Sequence, residues 1–314
     1  MAIPQQLKGR LALPAIAAPM FLTSGPDLVV EVCRSGLVGA FPALNQRSTE
    51  GLKSWLDEIA SRLADIPGAA PFAMNLIVHK SNPRLAAELK IAVARKVPVI
   101  ITSLGAVPDV VDAVHGYGGL VFHDVISRRH AEKAAEAGVD GVIAVSAGAG
   151  GHAGTVSPFA LVAEIREVFS GCIILGGAIN SGAQIAAARL MGADLAYLGT
   201  RFIATREAMV PVDYKDMLVG ARAADVVYTS NISGINANFL RPSIVANGLD
   251  PDHLPPHGKL DLESEAKAWK TVWSAGHGVG GIRDVPSASE LCARLIAEYR
   301  AAMASAAADP FVTA

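Results

Sequence analysis

One histidine in this chain sits in a stretch of backbone almost bare of side chains. The run Val145-Ser146-Ala147-Gly148-Ala149-Gly150-Gly151-His152-Ala153-Gly154-Thr155 sets four glycines around His152. Glycine lets the main chain lie close against a flat ligand, and the imidazole then stands at that ligand's rim. Histidine ordinarily titrates near neutrality, so this residue type can bind an anion as a cation or remove a proton as a neutral base. The bland alternative is an ordinary loop histidine. Two further turns carry glycine where an apolar run gives way to helix. One is Ile173-Ile174-Leu175-Gly176-Gly177-Ala178-Ile179, the other Tyr197-Leu198-Gly199-Thr200-Arg201-Phe202. Exposed N–H groups at such turns hold an anion, a phosphate above all, in the positive end of the helix dipole. The GxGxxG spacing of a dinucleotide-binding fold is absent, which argues against that kind of phosphate site.

These residues need a scaffold, and the pattern supplies one. From Pro14 to about Arg206 short β-rich apolar runs alternate with amphipathic stretches, as consecutive βαβ units do. Strands are predicted at Ala15–Met20, Leu37–Pro42, Phe72–Ile77, Val97–Ser103, Leu120–Asp124, Gly141–Ser146, Cys172–Gly176 and Leu195–Gly199. Helices are predicted at Pro26–Arg34, Thr49–Ala64, Pro83–Arg95, Asp109–His115, Arg128–Ala137, Pro158–Phe169 and Ser181–Met191. Ser48 and the pair Ser157-Pro158 mark helix starts, and Gly36, Gly138, Gly171 and Gly192 mark left-handed helix ends. Eight such units close most naturally into an α/β (β/α)8 TIM barrel, with an open doubly wound sheet as the alternative. The barrel places active-site residues at the C-terminal ends of its strands, which is where His152 and both glycine turns fall.

The barrel with its site is assigned to residues 1–206. Residues 207–314 read as a C-terminal loop and helical extension over the barrel mouth, in the same structural unit. Gly220 to Lys259 reads as an irregular excursion, followed by helices near Leu262–Val272 and Ala288–Ala304. Trp269 and Trp273 read as packing residues that cover the mouth. His79, His115, His123 and His130 read as surface or helix-end histidines. His253 and His257 flank Pro255 and Pro256 and cannot share a helix face, so no metal site is expected.

Composition narrows the function classes. Apolar residues make up 51% of the 314 and charged ones 18%, which suits strands buried on both faces. A formal net charge of −2 gives no reason to expect nucleic acid or an anionic membrane as partner. Cys33, Cys172 and Cys292 lie in apolar surroundings without CxxC spacing and read as buried thiols of a reducing compartment. Pro4, Pro14 and the shortness of the early apolar run argue against a secretory signal, and no stretch reaches the roughly 18 to 20 apolar residues of a membrane span. The expectation is a cytoplasmic enzyme acting on a small molecule; a homodimer is compatible with it.

Four segments together are similar to one family. They are Ala149-Gly150-Gly151-His152-Ala153-Gly154, the Gly176-Gly177 turn, Leu198-Gly199-Thr200-Arg201-Phe202-Ile203-Ala204-Thr205-Arg206-Glu207, and Trp273-Ser274-Ala275-Gly276. They resemble the nitronate monooxygenase (2-nitropropane dioxygenase-like) family of FMN-dependent barrel oxidoreductases, over nearly the whole chain. The resemblance implies FMN as cofactor, with its phosphate at Gly176, Gly177, Gly199 and Thr200. It also implies a flavin ring against Pro19, Met20 and Phe21, with Asn75, Asp124 and Gly150 around it and Ser274 and Gly276 approaching it. His152 becomes the catalytic residue, and the reaction becomes oxidation of an alkyl nitronate or nitroalkane by oxygen to a carbonyl compound and nitrite.

Two positions depart from the family pattern. Some members carry Lys after the histidine that ends strand five, where this chain has His123-Asp124. Some carry Gln or Glu before the AGGH-type segment, where this chain has Ser146-Ala147-Gly148. Both changes are expected to take away a side chain able to touch flavin or substrate. Two other functions stay open: an NAD(P)H-dependent reductase of quinones or enoyl-acyl carrier protein thioesters, and a flavin-binding barrel without turnover.

Overall fold

In a computed structural model, which describes residues 2–105, 108–256 and 269–312, eight parallel strands close into a barrel. They are β1 (Ala15–Ala17), β2 (Val38–Pro42), β3 (Ala73–Ile77), β4 (Val99–Ser103), β5 (Leu120–Val125), β6 (Gly141–Val145), β8 (Cys172–Gly176) and β9 (Leu195–Leu198). Each pairs with the next, and β9 pairs back onto β1 with Ile16 opposite Tyr197. The open-sheet alternative is thereby excluded.

Alternation along these strands explains the closure. Val99, Ile101, Leu120, Phe122, Ile143, Ile174 and Leu195 pack together inside the barrel, joined by Leu7. The residues between them, such as Ile100, Val121, Val142 and Ile173, face the surrounding helices. Each fully buried side chain of this kind contributes about 1.5–3 kcal/mol, so both faces of the sheet drive folding.

The helices are α1 (Pro26–Arg34), α2 (Thr49–Ala64), α3 (Leu85–Ala94), α4 (Pro108–His115), α5 (Arg128–Glu136), α6 (Pro158–Val168) and α7 (Gly182–Leu190). The Ser48 hydroxyl accepts from the Gly51 N–H at 3.0 Å and so caps α2, whose Leu52, Leu56 and Ile59 recur at helical spacing and are buried. Beyond the barrel lie α8 (Thr200–Ile203), α9 (Val212–Gly220), α10 (Arg241–Ala246) and α11 (Ala288–Ala307). A capping box between Ser287 and Glu290 starts α11, which buries Leu291, Cys292 and Leu295. A side chain at Gly182 would overlap the α11 backbone at Leu295 and Tyr299, so glycine is what lets α7 and α11 approach this closely.

Asp194 ties the amino-terminal end of the barrel together. Its carboxylate, fully buried, accepts from the N–H groups of Ala2 (2.7 Å) and Ile173 (2.9 Å) and pairs with Arg166 at 2.6 Å. Asp194→Ala would orphan the buried Ile173 N–H and one face of the guanidinium. We expect a loss of about 2–3 kcal/mol, read as a lower urea midpoint with an unchanged m-value; an unshifted midpoint would show that water replaces the carboxylate.

Several expectations are corrected. The first strand stops at Ala17 rather than Met20, because the chain leaves the barrel there. Gly171 does not adopt a left-handed conformation, unlike Gly36, Gly138 and Gly192; α6 instead ends on the extended Phe169. The Gly220–Lys259 stretch is not simply irregular. It contains β10 (Val226–Thr229) and β11 (Ala237–Leu240), which form an antiparallel three-stranded sheet with the short β7 (Gly151–His152) in the order β10-β11-β7. Most of the helix expected at Leu262–Val272 lies outside the described residues, as does His257. All three cysteines are buried, and burial pushes the Cys33 and Cys292 thiols up to about 12. Among the described residues no helix is long and apolar enough to cross a membrane.

Candidate active site

The inward-facing alternation that fills the barrel turns polar at its carboxyl end. Two residues beyond Ile101, Phe122, Ile174 and Leu195 come Ser103, Asp124, Gly176 and Tyr197, and β3 contributes Asn75. The Asn75 amide donates to the Ile101 carbonyl (3.2 Å) and to Ser103 Oγ (2.7 Å), and Ser103 Oγ donates to Asp124 Oδ2 at 2.5 Å. Burial pushes the Asp124 carboxyl up to about 6, against the Ser103 hydrogen bond and the nearby His152. Burial, with Asp124 adding to it, also keeps the Tyr197 phenol protonated well above its ordinary range.

Above this layer lies the glycine loop between β6 and β7. Gly148 and Gly151 take left-handed conformations, φ +84° and +68°. The Gly148 carbonyl accepts from Ala178 N–H (3.2 Å) and His277 N–H (2.9 Å). Gly151 N–H donates to Ser274 Oγ, Ser274 Oγ donates to the Asn238 carbonyl, and Asn238 Nδ2 donates to the Ala149 carbonyl, each at 2.7 Å. At Gly150 a Cβ would stand 2.9 Å from Gly276 N and 3.0 Å from Thr200 Oγ1, so no side chain fits there. The chain beyond the barrel thus holds the loop in place.

His152 is oriented by the same segment. It lies opposite Ala237 of β11, and the edge of its ring meets Trp269 at 5.5 Å with an interplanar angle of 81°. Trp269 stacks in turn on Phe239 at 4.8 Å, and Trp273 stacks on Tyr214 at 4.8 Å. Both tryptophans therefore pack at the mouth, as their spacing suggested.

The two glycine turns expected to hold a phosphate are Gly176-Gly177 after β8 and Gly199-Thr200 at the start of α8. α8 opens at Thr200 on the cavity wall, and the Phe202 and Ile203 N–H groups donate back to the Gly199 carbonyl. Gly177 has φ +141°, and a Cβ there would overlap Ser146 Oγ.

One cavity of about 2200 Å³ opens at this end of the barrel. Pro19, Met20, Phe21, Asn75, Asp124, Gly150, His152, Gly176, Gly177, Gly199, Thr200, Ser274 and Gly276 all border it. Drug-sized ligands need roughly 300–1,000 Å³, so there is room for a cofactor and a substrate together. Sequence reasoning missed Ser103, Tyr197 and Asn238. Period-two alternation could have found the first two, whereas Asn238 reaches the loop only through tertiary docking.

Two expectations fail here. His123 is not a surface histidine: it is 5% exposed, its Nδ1 lies 2.8 Å from Thr102 Oγ1, and burial drives its pKa down to about 4. Nor do the departures from the family pattern simply take side chains away. Asp124 presents its carboxyl to the cavity, and Ser146 Oγ donates to the Gly176 carbonyl at 2.8 Å, bracing the turn at Gly177.

The sequence matches the nitronate monooxygenase family over residues 7–298. The chain belongs to that family. Nitronate monooxygenase-like proteins are FMN-dependent barrel oxidoreductases, in keeping with the cavity described above. A nitronate monooxygenase of Paraburkholderia phytofirmans is 29% identical over 341 aligned residues, covering 91% of this chain and 92% of that protein. A Mycobacterium tuberculosis relative is 34% identical over 178 residues, 56% of this chain but only 47% of its own length. The structure of a nitroalkane oxidase from Streptomyces ansochromogenes has the same fold, with a TM-score of 0.84 and 24% identity over 96% of this chain and all of that one.

The residues present fit the family's flavin. A Cβ would meet neighbouring atoms at Gly150 and at Gly177, and α8 begins at Thr200 on the cavity wall, at the kind of helix start where a phosphate can be held. The cavity also has the volume for an isoalloxazine ring.

Proposed function

We propose that this protein binds FMN and oxidises alkyl nitronates with molecular oxygen to a carbonyl compound and nitrite. Two nitronates and one O₂ balance to two carbonyl compounds and two nitrites. The observation that carries the reading is the meeting of His152, the glycine loop and both glycine turns around one cavity. Gly176, Gly177, Gly199 and Thr200 would hold the phosphate, with Pro19, Met20, Phe21, Asn75, Gly150, Ser274 and Gly276 around the ring. FMN, when bound, supplies the electron-accepting and oxygen-reactive centre.

The protein's own contribution is orientation and charge. His152, set against Trp269 and the β11 edge, offers a hydrogen-bond donor to an anionic substrate. Trp269 and Trp273 wall the mouth and limit water around that contact, which strengthens it.

The purified protein is expected to be yellow, and anaerobic nitronate is expected to bleach its visible spectrum while NADH leaves it unchanged. Air should then restore the colour with release of nitrite. Bleaching by NADH but not by nitronate would overturn this reading in favour of a reductase of quinones or enoyl thioesters. Failure to take up FMN would overturn both.

A further inference from the structure

Strain in the backbone gathers at the cavity. Among the described residues four that are not glycine take a left-handed conformation, and three of them, Leu22 (φ +56°), Leu104 (+64°) and Ala178 (+56°), border the cavity. A leucine so placed brings its Cβ too close to the carbonyl oxygen that follows, and it stays there only where neighbouring groups hold it. At Leu22 the holding group is one side chain, Asn45, which ends the short 3-10 helix Ala43–Asn45 after β2. Asn45 Oδ1 accepts from the Leu22 N–H at 2.8 Å. Its Nδ2 donates to the Met20 carbonyl (3.1 Å) and to the Ser24 carbonyl (2.8 Å). One amide thus spends its acceptor and both its donors on residues 20–24, the loop that puts Met20, Phe21, Leu22 and Thr23 on the cavity wall. Asn45 is fixed from behind in turn. The Gln46 N–H donates to the Ala43 carbonyl at 3.1 Å, and the Arg84 guanidinium donates to the Gln46 carbonyl at 2.6 Å.

We propose that Asn45 is the positioning residue of this wall, holding the strained backbone at Leu22, and with it Met20 and Phe21, in the shape that receives the cofactor. Only the identity of that cofactor rests on the function proposed above. Without the amide, Leu22 relaxes to a negative φ and the wall turns away from the cavity. The two ends of the loop keep other anchors: Ser24 Oγ accepts from the Met20 N–H at 3.0 Å, and the Thr23 carbonyl accepts from the Met209 N–H at 2.9 Å. Loss of Asn45 should therefore reshape the middle of the loop and leave the barrel folded. The role also has a signature of its own. Glycine at position 22 reaches positive φ at no steric cost, so a chain with glycine there needs Asn45 less.

The test has two readouts. The first is the FMN dissociation constant together with the visible circular dichroism of the bound flavin. Asn45→Ala should weaken FMN binding by about tenfold, the scale on which leucine avoids the left-handed region, and should change the dichroism because the wall beside the ring has moved. In a Leu22→Gly background the same Asn45→Ala step should cost about twofold or less. The second readout is hydrogen exchange of the flavin-free full chain, followed by mass spectrometry. Asn45→Ala should speed exchange over residues 20–24 while β4 and β5 exchange as in the parent. Leu22→Val gives a check that does not depend on Asn45→Ala folding. A β-branched residue tolerates positive φ less well than leucine, so this variant should bind FMN more weakly with Asn45 intact.

Undiminished FMN affinity in Asn45→Ala would overturn the proposal, as would FMN binding unmoved by Leu22→Val. An equal loss in the Leu22 and Gly backgrounds would overturn it too, because strain at Leu22 would then not be what Asn45 opposes. Exchange that speeds up across the barrel strands as well would reduce Asn45 to a general stabiliser. A wild-type protein that takes up no FMN would sink the function proposed above. Faster exchange confined to residues 20–24 of Asn45→Ala would then still establish the clamp on the wall, and unchanged exchange there would sink both.

Discussion

His152→Ala is expected to lower kcat/KM for a ready-made nitronate by about 10- to 100-fold, the worth of one charge-assisted hydrogen bond of about 1.5–3 kcal/mol. A nitronate arrives as an anion and has no proton to give up, so the demand on the protein is for a donor. If His152 fills that role, the loss should fall mainly on KM, and Asn, which can still donate, should be milder than Ala. The structure makes the substitution clean. His152 leans on Trp269 edge-on and borders the cavity, and backbone atoms of Ala149 and Gly151 tie its loop to Asn238 and Ser274. Flavin content should therefore survive. A base at this position would give a different pattern: turnover of neutral nitroalkane falling by about 10²- to 10⁴-fold with nitronate largely spared. Unchanged kinetics with both substrates, in a variant that still binds FMN, would return His152 to an ordinary loop histidine.

The barrel was legible because its strands carry two signals at once. They are apolar on both faces, and they recur with a helix between each pair, as in Val99–Ser103 and Leu120–Val125. The glycine turns were legible for a related reason: backbone exposure leaves a mark in composition, and barrel topology says which strand ends matter. What was not legible depends on contacts distant in sequence. β7 is two residues long and exists only because Ala237 and Asn238 dock against it, so no local pattern could announce it. The same docking turns a stretch rich in Asn, Gly and Pro into β10 and β11. His123 shows the opposite error. Its type suggested the surface, yet its place in β5 points it at Thr102 inside the protein. Asp124, one residue on, was placed near the flavin by family resemblance and read as the loss of a lysine, not from its own place in the strand. The alternation Leu120, Phe122, Asp124 already placed it on the inward face, and attention to that period would have shown a carboxyl entering the cavity.

The two glycine turns are expected to separate binding from folding. Gly199→Leu should weaken FMN binding by about 10- to 100-fold, since a bulky side chain would displace one or more charge-assisted contacts to phosphate, each about 1.5–3 kcal/mol. Its folding should change little. Gly199 has an ordinary negative φ of −101°, and the nearest atoms to a new Cβ, on Ala18 and Met20, lie 3.7 and 3.8 Å away. Gly177 differs on both counts. Its φ of +141° suits glycine almost alone, and a Cβ would overlap Ser146 Oγ, which is itself tied to the Gly176 carbonyl. Gly177→Ala should therefore lower stability by about 1–3 kcal/mol and lose flavin as a consequence. The pair is checked by measuring FMN dissociation constants beside thermal unfolding of the flavin-free proteins. If Gly199→Leu binds FMN as tightly as the parent, the turn after β9 serves only to redirect the chain, and the phosphate must be held elsewhere. If Gly177→Ala unfolds at the parent's temperature, Ser146 has moved aside, and the strain assigned to this turn is not there.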